Sequence, residues 1–393
     1  MEILKNKTNI DFISKRKPAI FISTVLNLII LVGIAVWGFN LGVDFAGGTV
    51  VEVKFTKDTS AADVRKRAEA GGLPDVSVQS IGGAGENAFL LRLGGVTQLT
   101  EESATKAREA ITALGPVKSI YPDLANGIIN LRSEQALSAE QLEKAVEGSG
   151  TGVEEVRSLG QAQAGGFDYQ IVASGMADRI RAALTQGVQG EPDFEMRRTE
   201  YVGPQVGKQL RNRGIMALVY SMVAILIYVA FRFDFKFGPG ALLAMLHDVV
   251  MVAGFYLFSR AEFGLTAIAA LLTIVGYSIN DTIVIYDRIR EDMVKFKGKP
   301  FAEVINIAIN DTLGRTILTS GTTALSLIGL LFFGVGEIRD FAWAMLIGII
   351  VGTYSTIYIA SPLTIWLDER AAAREARERN KGGGLKQQAN APG

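Results

Sequence analysis

The chain of 393 residues is 49% hydrophobic and sets 40 lysines and arginines against 40 aspartates and glutamates, so no basic field argues for a nucleic-acid partner. The absence of cysteine excludes disulfides, thiolate metal sites and cysteine nucleophiles, and a single histidine, His247, excludes a multi-histidine metal centre. The apolar residues are clustered in long runs, which is the composition of a polytopic membrane protein.

Lys15, Arg16 and Lys17 precede the first apolar run, 19–39, which ends in FNLGVDFAGGT without a small-residue cleavage site and is therefore expected to remain as an anchor. Five further runs follow, 214–231, 237–258, 264–286, 316–335 and 341–367, each about the 17–25 residues that a spanning helix needs. Six spans return both termini to one side. The loop charges set that side as cytoplasmic: Arg232 and Lys236 in one loop, Arg288, Arg290, Lys295, Lys297 and Lys299 in another, and Arg370, Arg374, Arg377, Arg379 and Lys381 in the tail. The opposite loops hold only Arg260 and Arg339. The tail, 368–393, is expected to lack regular structure.

The segment 40–213, between the first two spans, is expected on the outer side of the membrane. Its pattern alternates between periods of two and 3.6 residues. Strands are expected at 49–55, 76–81, 88–93 and 117–121, with helices at 61–70 and 101–114. The order then restarts, with strands at 127–131, 153–159, 167–172 and 194–201 and helices at 139–147 and 177–186. This reads as β-α-β-β-α-β twice in tandem, one or two ferredoxin-like α+β units. Such a fold assigns no function by itself.

Two glycine patterns imitate nucleotide sites. Gly203-Pro-Gln-Val-Gly207-Lys208-Gln209 has three residues between its glycines where a phosphate loop has four, and Gln209 stands where magnesium needs a hydroxyl. Gly83-Ala-Gly85-Glu-Asn-Ala88 leads into a strand instead of a helix. Both are read as turn glycines, and no cofactor is expected.

The chemistry lies in the spans. The stretch 276–290, GYSINDTIVIYDRIR, closes the fourth apolar run and places Asp281 within the membrane, toward the end marked by Asp287 and Arg288. Ionisable groups at that depth are costly and mark ion or proton pathways, the plainer alternative being an acid that pins a neighbouring helix. Thr266, Thr273, Asn280 and Asp287 recur every seventh residue, and Tyr277 lies one turn before Asp281, so these polar groups are expected on one flank facing protein. Arg315 opens the fifth span and leads a stripe of Thr319, Thr322, Thr323 and Ser326. Antiparallel neighbours bring Arg315 to the depth of Asp281, but Asp311, one turn earlier, is an equal candidate partner. His247 and Asp248 fall in the middle of the third span. As helical neighbours they are not expected to pair with each other; Asp248 is either a second relay carboxyl or part of the packing between helices.

GVDFAGGT (42–49), YVGPQVG (201–207), LLAMLHDV (242–249) and AALLTIVGYSINDTIVIYDRIRE (269–291) resemble the SecF family of the resistance–nodulation–division superfamily. The resemblance implies a six-span subunit of the bacterial cytoplasmic membrane that works with SecD. It also implies use of the proton-motive force, or a sodium gradient, to help the SecYEG channel release an unfolded polypeptide outward. It assigns the proton path to Asp281 and Arg315, with Asp248, His247, Asn280, Thr319 and Thr323 as secondary relay or packing positions. A scaffold subunit without transport and a half-transporter for small molecules are the rival readings; no hydrolytic or redox constellation points to an enzyme. Two departures stand out. The outer segment has room for a second ferredoxin-like unit, and Asp311 is an extra acid that competes for Arg315.

Overall fold

A computed structural model describes residues 8–73, 76–81, 86–94, 99–124, 126–162, 165–186 and 192–389. The chain divides into two compact units, 41–213 and the remainder.

The first helix, α1 (Arg16–Trp37), belongs to the membrane unit. After it the other unit begins with a short α2 (Val43–Ala46), closed by Gly47 and Gly48, both at positive φ. A side chain at Gly48 would meet the Leu93 carbonyl oxygen at 2.5 Å, so backbone contact as well as conformation demands glycine there. The unit continues through β1 (Gly48–Phe55), α3 (Ala61–Ala70), β2 (Ser77–Ile81), β3 (Ala88–Leu93), α4 (Glu101–Ala113), β4 (Val117–Asp123), β5 (Ile128–Ser133), α5 (Ala139–Glu147), β6 (Val153–Gln161), β7 (Phe167–Ala173), α6 (Met176–Thr185) and β8 (Phe194–Val202). Ser60, Thr100 and Ser138 start α3, α4 and α5 through reciprocal caps with Asp63, Ser103 and Gln141.

Every expected strand and helix is present, but the two units are nested where a tandem pair was expected. One antiparallel sheet runs β2-β3-β1-β8 and the other β4-β5-β7-β6. The first ferredoxin-like unit therefore consists of β1, α3, β2, β3, α6 and β8, and the whole of α4 to β7 is inserted before its last helix. The insert has the same sheet order in circularly permuted form. Long-range contacts decide the matter. A side chain at Gly71, which follows α3, would lie 2.5 Å from the Ala183 backbone of α6, so these two helices pack closely. Arg67 of α3 grips Asp193, at the start of β8, through two hydrogen bonds of 2.7 and 3.1 Å. The insert has its own core around Ile111, Ile129, Leu142, Val146 and Ile171. Of the two nucleotide imitations, Gly83 and Gly85 lie outside the described residues. Gly207 is a packing glycine: a methyl there would sit 3.1 Å from the Phe45 carbonyl oxygen.

Two of the ion pairs in this unit, Arg67–Asp193 and Arg132–Asp168, make it acid-sensitive. Hydrogen bonds from Arg67 hold the Asp193 carboxyl below its usual range, and those from Arg132 (2.6 and 2.9 Å) do the same for Asp168. A carboxyl depressed in the folded state adds stability above its unfolded pKa of about 3.9 and loses it as pH falls through the folded value. The thermal midpoint of this segment in the full chain is therefore expected to drop on acidification below about pH 4. Asp193→Asn with Asp168→Asn should flatten that dependence; an unchanged profile would remove these pairs as its cause.

The membrane unit resumes in α7 (Pro204–Arg232), followed by α8 (Gly238–Ser259), α9 (Leu265–Lys295), α10 (Phe301–Phe333), α11 (Glu337–Ser355) and α12 (Ser361–Ala389). A π-helical segment, Thr356–Ala360, joins the last two into one span. Among the described residues, six helices are thus long and apolar enough to cross a membrane. Several extend beyond the apolar runs: α7 begins at Pro204, α9 ends at Lys295, and α10 begins at Phe301, well before Arg315. The tail, expected without regular structure, continues as helix to Ala389. Helix α9 packs against α8, α10 and α11. Glycines allow the close approaches, with Gly348 and Gly352 of α11 lying against Ile274 and Ser278 of α9.

Candidate functional site

Helix α9 forms because Leu265 onward is an unbroken apolar run without proline, and it buries the side defined by Ile274, Ser278, Asp281, Thr282 and Ile285. Asp281 is 4% exposed, enclosed by side chains of α9, α10 and the last span. Thr353 of α11 lines the same small cavity as the carboxyl, and the positive charge of Arg315 acts on that carboxyl from α10. No ion pair within 4.0 Å joins Arg315 to Asp281 among the described residues. Beside the carboxyl lies a cavity of about 10 Å³, lined by Asp281, Thr312, Thr316, Thr353 and Thr356 among others. That is the lower limit for one water. The site can therefore hold a proton on Asp281, with hydroxyls and a single water-sized space around it.

Thr312, Thr316, Thr353 and Thr356 did not stand out in the sequence. The signal for the first two was available as a continuation of the Arg315 stripe toward the start of α10. The others lie in the sixth run, and only the fold brings that run to α9.

The competition for Arg315 has a clear outcome at Asp311. Asp311 pairs with Arg288 of α9 and not with Arg315. Arg288 also contacts Glu291 at 3.0 Å and the fully buried Asp292 at 3.2 Å, so the extra acid is absorbed by a cluster near the charged end of α9.

Asn280 corrects the expected flank. It is exposed, as is Thr273, while Asp281 is one position further round the helix and buried. The heptad spacing splits in the structure: Thr273 and Asn280 lie on the outer side of α9, whereas Thr266 donates to Glu337 of α11 at 2.6 Å and Asp287 accepts from Arg232 of α7 at 2.8 Å. Arg315, Thr322 and Ser326 of α10 are exposed as well. Thr319 bonds back to the Arg315 carbonyl at 3.0 Å, and Thr323 accepts a hydrogen bond of 3.2 Å from the Tyr277 hydroxyl. Thr323 thus reaches α9, whereas Thr319 serves its own helix.

His247 and Asp248 also correct an expectation, because they do pair, with Nδ1 of His247 2.9 Å from Oδ1 of Asp248. Turning of the imidazole toward the next residue overcomes their separation around the helix. The other carboxyl oxygen accepts from Ser278 of α9 at 2.5 Å and Ser355 of α11 at 2.8 Å. Asp248 is fully buried and ties α8, α9 and α11 together. Asp248→Asn keeps an oxygen for both serines and presents an amide to the other tautomer of His247. It is expected to keep the fold and the activity that the resemblance implies. Asp248→Ala removes the partner of the buried Ser278 hydroxyl and of the His247 ring nitrogen, while Ser355 keeps the Gly352 carbonyl at 3.1 Å, and is expected to cost about 2 kcal/mol, or about 4–8 °C in thermal midpoint. Loss of that activity by a folded Asn variant would instead assign Asp248 to the relay.

A bundle of six apolar helices that encloses a carboxyl, a histidine and a set of hydroxyls, with an α+β unit between its first two spans, is a polytopic membrane protein with an internal polar site. The family profile described as "Protein export membrane protein SecD/SecF, C-terminal" matches residues 182–370, and "SecD/SecF GG Motif" matches 32–59. The protein translocase subunit SecF of Magnetococcus marinus is 39% identical over 96% of this chain and 98% of its own length. That of Rickettsia rickettsii is 34% identical over 96% and 98%. Among solved structures, SecDF of Thermus thermophilus, described as a translocon-associated membrane protein, matches with a TM-score of 0.60 and 30% identity. It covers 94% of this chain, while this chain spans 40% of that protein. The chain belongs to the SecF family of protein translocase subunits.

Proposed function

We propose that this subunit acts with a SecD partner in the bacterial cytoplasmic membrane, both termini cytoplasmic, and couples the proton-motive force to late movement of unfolded polypeptide through SecYEG. Segment 41–213 is then the outer domain. The observation that carries the reading is Asp281: an acid held inside the bundle, next to a water-sized cavity, under the charge of Arg315 but without a direct ion pair. Protonation removes the attraction to Arg315 and frees α9 and α10 to shift; release of the proton restores it. Each proton crossing 100 mV supplies about 2.3 kcal/mol, which biases a two-state equilibrium by more than tenfold. The exposed polar flanks of α9 and α10 support a partner helix bundle, since lipid tolerates neither Asn280 nor Arg315.

The test is reconstitution of the full chain with SecD in sealed vesicles under an imposed potential, followed by an internal pH dye. Proton uptake dependent on the pair is the expected result, and a response to sodium alone would replace the coupling ion. The scaffold reading draws on the Asp248 clasp, and it predicts no ion flux at all.

A further inference from the structure

A groove of about 1000 Å³ runs between α1, α8 and α12, on walls that are mostly apolar. It is separate from the Asp281 cavity, and no residue lines both. Along α1 it extends from Arg16 to Leu31. Fifteen helical steps of 1.5 Å make about 22 Å, which matches one leaflet with its headgroup layer, about 20–22 Å. Its deep part is formed by leucines such as Leu28, Leu31, Leu243 and Leu246, which are 57%, 49%, 46% and 44% exposed.

The mouth is basic. Arg16 and Lys17 line it, and Arg370 stacks 3.8 Å over Trp366, another lining residue. Glu369 meets Arg16 at 3.7 Å and offsets one of these charges. Lys17 is exposed and makes no ion pair among the described residues. An aromatic ring with basic groups at one end of a spanning helix is the composition of a membrane interface. His247 borders the groove at mid-depth, 7% exposed, and its Nε2 has no hydrogen-bond partner.

We propose that this groove binds one anionic phospholipid from the leaflet on the Arg16 side. The phosphate lies against Arg16 and Lys17, the glycerol region beside Trp366, and an acyl chain along the leucines toward Leu31. Charge sets the preference: a basic group near a membrane surface favours an anionic headgroup by about fivefold, whereas the apolar wall holds any acyl chain equally. The inference is independent of the coupling ion, since the groove shares no residue with the Asp281 cavity.

The test uses the full chain with Trp37→Phe and Trp343→Phe, which leaves Trp366 as the reporter. It is reconstituted in phosphatidylcholine vesicles doped with phosphatidylglycerol or phosphatidylcholine brominated on the acyl chain. Brominated phosphatidylglycerol is expected to quench Trp366 at a several-fold lower mole fraction than brominated phosphatidylcholine. Lys17→Gln, at an exposed position, should reduce that preference about fivefold, and Arg16→Gln with Lys17→Gln should abolish it. Equal quenching by the two lipids overturns the proposal, as does a preference that survives the double substitution. Absence of quenching by either lipid also overturns it, because protein then fills the groove.

Discussion

Asp281→Asn is expected to leave a folded, membrane-inserted subunit that no longer responds to the proton-motive force. The amide has the size of the carboxyl and fills the same place beside Thr353, so the packing between α9 and α11 survives. What it loses is the capacity to change charge. Without that, Arg315 meets the same neutral group in every state and the electrical term of about 2.3 kcal/mol per proton at 100 mV has nothing to act on. Proton uptake by vesicles containing the variant and SecD should fall at least tenfold, to the level of vesicles without the pair. Stimulation of export by the potential should vanish with it, while the thermal midpoint stays within a few degrees of the parent. Asp281→Glu, which retains an ionisable group one methylene further out, should recover part of the flux. Full uptake by the Asn variant would sink the role given to this carboxyl.

The sequence makes the spans legible because a bilayer imposes a length and a composition that no other environment requires. It makes the strands and helices of segment 41–213 legible for a similar reason, since caps at Ser60, Thr100 and Ser138 and the alternation of buried positions are local signals. Pairing is a different matter. Nothing within β4 or β8 says which of them closes the sheet on β1; the answer lies in the packing of α3 on α6 and in the reach of Arg67 to Asp193, 126 residues away. The same limit applies at the site. Asp281 and Arg315 are visible as charges in apolar runs, but Thr353 and Thr356 are ordinary hydroxyls until the sixth span is laid against the fourth. Spacing offers Asp311 as a partner for Arg315, equal to Asp281, because the two share a helix, and the partner Asp311 takes, Arg288, comes from another. Periodicity groups Asn280 with Thr266 and Asp287, but those two meet side chains of α11 and α7 while Asn280 is exposed, a difference that depends on which neighbours pack against α9.

The close approach of α9 and α11 is what assembles the polar site, and it depends on glycine. Gly348-x-x-x-Gly352 presents two bare positions to α9. A methyl at Gly348 would lie 2.5 Å from Cγ1 of Ile274, a β-branched side chain only 1% exposed, and one at Gly352 would lie 3.0 Å from the Ser278 side chain. Ile274 has no space to retreat into, so Gly348→Ala must move the helices or force a rotamer, at about 1–3 kcal/mol. A midpoint lower by about 2–12 °C follows from that range. Gly348→Leu should do more. Driving α11 away from α9 stretches the Ser355 bond to Asp248, now 2.8 Å, and separates Thr353 from Asp281, so proton uptake should fall along with stability. Ile274→Ala separates this account from a general weakness of the helix. Alone it opens a cavity and destabilises; combined with Gly348→Ala, the new methyl occupies part of that space. The two costs should then fail to add, with a coupling of about 0.5–3 kcal/mol in favour of the double variant. Additive losses would mean that the glycine is needed for some reason other than contact with Ile274.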